Sequence, residues 1–225
     1  MGSTEPFVLV DCGLVRRAVG RSCSNLRELL DAVRSAPDGV IEHHMLRSPL
    51  EDYFELHEFP NDLARWCWEA LGDPALGEEL GLVDPYKQPT VEALRATLVD
   101  TIESRLWKLD RTPWCRPGLE LHLVSSRLVA YDTGIRIPTP AALAEAIGTM
   151  SPRSLFYHVH EARRRTRGQT DDFSLWLDER EASPALVAGI RAIDFYFFNL
   201  NQLRQKLLGL FQQNLFAPAA GRSPA

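Results

Sequence analysis

The sequence predicts a mainly α protein with a small β-sheet, internally duplicated into halves related by a pseudo-two-fold axis. Three observations lead there. The stretch from Phe7 to His44 aligns without a gap onto the stretch from Leu121 to His158, 114 residues further along. After a loop of unequal length the match resumes, pairing Asn61 through Tyr86 with Asp171 through Tyr196. Helical periodicity fills most of both stretches, whereas β-type alternation is confined to short pieces. A repeat of roughly a hundred residues is longer than solenoid repeats. The expected organisation is therefore a first repeat over 5–109, a linker over 110–118, a second repeat over 119–215 and a disordered tail over 216–225.

Each half opens with extended pieces, FVLV at Phe7, and LELHLV at Leu119 followed by RLVAYDTGIRI at Arg127. Gly20 and Gly134 are read as turns before the first helix of each half. Ser24 or Asn25 caps a helix carrying Leu29 and Val33; Thr139 followed by Pro140 opens its counterpart with Leu143 and Ile147. Asp38, and Ser151 with Pro152, cap the next pair, the latter running through SLFYHVHEARRR. Asp62 and Asp172 stand before DLxxW and DFxxW patterns and read as N-caps, worth about 1 kcal/mol each. Pro74 and Pro184 read as first helical residues behind Asp73 and Ser183. The closing helices carry stripes of Val91, Leu94, Leu98, Ile102 and Leu106, and of Leu203, Leu207 and Phe211. Arg95 and Arg204 in those helices are expected to pair with Asp84 and Asp194. Trp66 and Trp176 read as core. Pro113, Pro117 and Gly118 punctuate the linker.

Composition narrows the function. Of the 225 residues 45% are hydrophobic, with five Trp and ten Phe, enough for a packed core. A net charge of −5 excludes a nucleic-acid binder held by a basic face. No segment approaches the roughly 18 apolar residues of a membrane span, and MGSTEPF lacks the basic and apolar regions of a secretion signal, so a cytoplasmic protein is expected. Cys12, Cys23, Cys67 and Cys115 show no CxxC spacing and read as reduced thiols, most of them packed as small apolar residues.

Among the polar residues that recur, His44 with His158 and Asp62 with Asp172 stand out. A histidine oriented by a carboxylate is a candidate general base or metal ligand. The alternative is scaffold, because duplication preserves what both copies need to fold. His43 precedes His44, and His57 follows, in one half only. His158, His160 and Glu161 in YHVHE share a helical spacing used by metal sites in bundles, though HxHE lacks the HExxH register. The loops that break the alignment differ in sign. One carries Glu51, Asp52, Glu55 and Glu58 interleaved with Tyr53, Phe54, Leu56 and Phe59, aromatic and apolar residues expected to fold back on the core. The other carries Arg163, Arg164, Arg165 and Arg167, whose guanidinium forks suit an anion. No nucleophile elbow, P-loop, dinucleotide fingerprint or zinc signature is present, so no cofactor is predicted and catalysis is disfavoured.

The motifs NLRELL at Asn25, PNDLARW at Pro60, LGDPALGEEL at Leu71, VDPY at Val83, LRATLVDTIE at Leu94, SLFYHVHEARRR, TDDFSLWL and LRQKL resemble a bacterial family catalogued only as a domain of unknown function. The resemblance runs from Phe7 to Phe211 and implies a soluble bacterial protein, with no catalytic residues to carry over. It departs where EREASPAL at Glu179 replaces a Leu-Gly pair, a change expected to shorten that helix. The reading that results is a non-catalytic binding, regulatory or accessory module for a protein or a small anionic ligand. Two alternatives remain open: an enzyme with a site between the halves built from His44, His158, Asp62 and Asp172, and a homo-oligomer joined through the acidic and arginine arms.

Overall fold

The computed structural model describes residues 5–47, 50, 59–166 and 168–216. Glu51, Asp52, Tyr53, Phe54, Glu55, Leu56, His57 and Glu58 of the acidic arm, Arg167, and the tail from Ala217 onward lie outside the described residues. The chain is mainly helical, with one two-stranded antiparallel sheet made of β1 (Phe7–Cys23) and β2 (Leu121–Ile137).

Each strand is 17 residues long, far longer than the pieces read from the sequence, and runs straight through the expected turn glycines. Gly20 and Gly134 adopt φ of 73° and 78°, a left-handed conformation that glycine supplies without strain. They bend continuing strands instead of ending them. The chain divides into two compact units, Leu14–Val129, and Met1–Gly13 with Ala130–Ala225. This division differs from one drawn along the chain, because each unit takes part of both strands.

In the Leu14–Val129 unit, α1 (Leu26–Ser35) starts behind Asn25, whose side chain accepts from the Glu28 N–H, and Glu28 reaches back to the Ser24 N–H. Leu26, Leu29 and Val33 are buried on the side where α1 packs against α5 (Val91–Trp107), which contributes Leu94, Leu98 and Ile102. The short α2 (Asp38–Glu42) runs into a π-helical turn over His43–Arg47. Asp38 is the first residue of α2, makes no cap, and pairs with Arg95. α3 (Asp62–Glu69) packs on α4 (Pro74–Gly81), a contact close enough that a Cβ on Gly77 would stand 3.1 Å from Ala64 O. Phe59 packs against Trp68 at a tilt, with ring centroids 5.3 Å apart.

The other unit holds α6 (Pro140–Thr149), α7 (Pro152–Phe156), a π-helical turn over Tyr157–Glu161, α8 (Ala162–Arg165), α9 (Asp172–Glu179), α10 (Pro184–Arg191) and α11 (Leu200–Phe211). Leu143 and Ile147 of α6 are buried where it meets Leu203, Leu207 and Phe211 of α11. α9 is eight residues long, as is α3, so the replaced Leu-Gly pair does not shorten it.

Two expected contacts are rearranged. Arg95 and Arg204 do not reach Asp84 and Asp194; Arg95 donates to Val33 O in the last turn of α1, and Arg204 to Gly148 O and Met150 O at the end of α6. A guanidinium satisfies carbonyls that a helix C-terminus leaves open, and its charge suits that end of the dipole. Cys12, Cys23 and Cys67 are buried; the Cys67 thiol is pushed well up by burial. No described helix is long and apolar enough to cross a membrane.

Candidate functional site

The N-caps of α3 and α9 are Asn61 and Asp171, one residue earlier than the sequence suggested. Asn61 Oδ1 accepts from Ala64 N, and Asp171 Oδ1 from Ser174 N. That leaves Asp62 and Asp172, the first residues of these helices, to serve another partner. Asp62 Oδ2 lies 3.0 Å from His44 Nδ1, and Asp172 Oδ2 lies 2.7 Å from His158 Nδ1.

The other ring nitrogen is engaged in both cases. Val124 N–H of β2 donates to His44 Nε2 at 3.2 Å, and Val10 N–H of β1 donates to His158 Nε2 at 3.0 Å. A nitrogen that accepts an N–H carries a lone pair, so the proton sits on Nδ1 and points at the aspartate; both imidazoles are neutral. Each histidine thus ties a helix start to a strand edge within its own unit. Both are buried, at 4% and 2% exposure, so the hydrogen bonds compensate groups withdrawn from water. Arg65 adds a 2.9 Å contact to Asp62 Oδ1, and Arg165 contacts Asp172. Trp66 and Trp176 anchor the same regions, their Nε1–H groups donating to Leu119 O and Glu5 O. A general base needs a lone pair turned toward a substrate, and here the strand takes it.

The proposed metal trio of His158, His160 and Glu161 is not brought together. His158 is engaged as above. His160 stacks on Phe156 at 4.9 Å and meets Phe195 edge-on at 4.8 Å, and burial, with Arg163 nearby, lowers its pKa to about 3. Glu161 pairs with Arg164. The described arginines of the basic arm are likewise committed: Arg163 lies over the Phe195 ring and 3.7 Å from Asp171, and Arg165 over the Tyr157 ring.

The Leu14–Val129 unit adds what the other turn lacks. His43 Nδ1 is 3.0 Å from Ser126 Oγ, Arg47 donates to Ser126 O, and Arg47 also pairs with Glu42 at 3.1 Å. Burial, with His44 beside it, lowers the His43 pKa to about 4. His43, His44 and Asp62 form the floor of a cleft of about 380 Å³. Its rim carries Arg65, Glu69, Glu120 and His122, with Trp66 in the wall. The Gly118 N–H donates to Glu120, and backbone hydrogen bonds of this kind hold its carboxyl below the usual range. Among the described residues, His43, His44 and Asp62 are the one group of three that offers metal-ligand atoms within 4.8 Å of one another. His43 was visible in the sequence as the neighbour of His44. Ser126 and His122 were not, because β2 carries them there from far along the chain, 83 residues in the case of Ser126 and His43, and no local pattern marks them.

Fold and site together define a mainly helical protein in which buried histidine–aspartate pairs fasten helices to a two-stranded sheet, with a polar cleft beside one of them. The chain belongs to the family of unknown function DUF5752, which matches residues 4–212. It is similar to the solved structure of OrfY from Thermoproteus tenax, at 28% identity over 96% of this chain and 99% of that one, with a TM-score of 0.74. No curated protein matches the sequence.

Proposed function

We propose that the protein is a non-catalytic binding module whose ligand site is the cleft of the Leu14–Val129 unit. The observation that supports this is the cleft itself, about 380 Å³ with acidic and basic groups facing one space. That volume falls within the range of small-molecule sites. The rim mixes Glu69 and Glu120 with Arg65 and His122, which suits a small polar molecule offering both donors and acceptors. The arginine arm is a poorer anion site than its composition suggests, since its described guanidiniums already face carboxylates or rings. The enzyme reading asks His44 and His158 for a lone pair that each has given to a strand N–H.

Thermal-shift screening of the full chain against a library of small polar metabolites tests the proposal. Compounds that raise the melting temperature should lose that effect in Glu69→Ala and His122→Ala, both at exposed positions. Stabilisation that survives both substitutions would move the ligand site elsewhere.

A further inference from the structure

We propose that the cleft floor is a divalent transition-metal site with His43, His44 and Asp62 as its protein ligands. This inference rests on the cleft being the ligand site and names what lies at its base. Two imidazoles and a carboxylate suit zinc and its first-row neighbours, and three protein ligands leave a position open toward the cleft for a polar co-ligand. The three ligand atoms lie within 4.8 Å of one another. Two ligands of a tetrahedral zinc stand about 3.3 Å apart. His44 Nδ1 and Asp62 Oδ2 already meet that spacing at 3.0 Å, so closing the site asks His43 to draw nearer to this pair.

The π-helical turn explains how neighbouring residues converge. Successive side chains on an α-helix are rotated by about 100°; a wider turn rotates less per residue, and such turns recur at functional sites. The His43 and His44 rings stand 4.9 Å apart, edge to face. Ser126 Oγ, against His43 Nδ1, is the outer contact that orients a metal-binding imidazole through its far nitrogen.

Loading the site moves one proton. His44 Nδ1 must present its lone pair to the ion, so the Nδ1 proton leaves and Nε2 takes one up by exchange with solvent, with no net release. The ring then carries Nε2–H toward the Val124 N–H, and that strand contact opens. Metal occupancy is therefore coupled to the hold of His44 on β2.

The other unit supplies an internal control. His158 and Asp172 repeat the pair, but Tyr157 stands where His43 would, and among the described residues no third ligand joins them. Replacing His43 by tyrosine should therefore be tolerated by the turn.

The test uses full-length protein freed of metal with a chelator and titrated with Co(II), followed by visible ligand-field absorption with Zn(II) as competitor. The wild type should take up a single Co(II) per chain, displaced by Zn(II), and the Val124 amide should shift on loading. His43→Tyr and His43→Gln should abolish the absorption while keeping the circular dichroism of the fold; Tyr157→Phe should leave it unchanged. No absorption in the wild type, or equal uptake by both His43 variants, overturns the metal site. If metal uptake fails while metabolites still stabilise the chain through Glu69 and His122, only this inference falls. If neither metal nor metabolite depends on cleft residues, the cleft falls as the ligand site as well.

Discussion

The two π-helical turns, His43–Arg47 and Tyr157–Glu161, are the same device put to different ends. His44 and His158 occupy the same place in each, donate to the first residue of α3 and of α9 respectively, and accept from a strand N–H. Around them the turns diverge. His43 faces Ser126 and borders a polar cleft, whereas Tyr157 lies under Arg165. Leu46 fills a core position, whereas His160 sits among Phe156 and Phe195. What the turns share holds helices to strands; what differs gives one unit a cleft floor and the other an aromatic nest.

The strongest way to break that comparison is to remove the shared part. His44→Leu and His158→Leu each strand an aspartate contact and a strand N–H in a buried setting, at a cost of about 3 kcal/mol. Urea unfolding of both variants should show similar losses. A large loss in one and none in the other would mean that the two pairs do different jobs.

Acid sharpens the contrast at His160. Its folded pKa of about 3 lies below the ordinary value of 6.5, so the unfolded chain takes up a proton first as pH falls. Stability is therefore full above about pH 6.5 and declines toward pH 3, by about 2 kcal/mol at pH 5 from this residue. His43, lowered to about 4, acts in the same direction over a narrower window. His160→Phe should flatten the stability–pH curve between pH 7 and 5; an unchanged slope would place the proton uptake elsewhere.

The smallest effect separates caps from ties. Asn61→Ala and Asp171→Ala should each cost about 1 kcal/mol, less than the histidine replacements. Chemical denaturation of the four variants side by side gives the order, and equal losses would merge the two roles.

Much of this was legible in the sequence, and the failures have physical reasons. The caps at Asn25, Thr139, Ser151, Asp73 and Ser183 followed from local chemistry, because a cap bonds a backbone group three residues away. The same logic misplaced the caps of α3 and α9, since Asn61–Asp62 and Asp171–Asp172 each offer two adjacent side chains able to cap. Only the histidine, 18 or 14 residues away, decides which one is spent otherwise. Gly20 and Gly134 read as turns because a positive φ usually reverses a chain; within a two-stranded ribbon it only bends one. The histidine–aspartate matches were visible, but their third partner is a backbone N–H, which every residue but proline carries, so the sequence could not single out Val124 or Val10.

The central claim is that His44 and His158 are neutral ties. A long-range ¹H–¹⁵N spectrum of the imidazoles of the metal-free protein tests it most directly. The account predicts a protonated Nδ1 and an unprotonated Nε2 in both residues. An Nε2–H tautomer, or a doubly protonated ring at neutral pH, in either residue would contradict it.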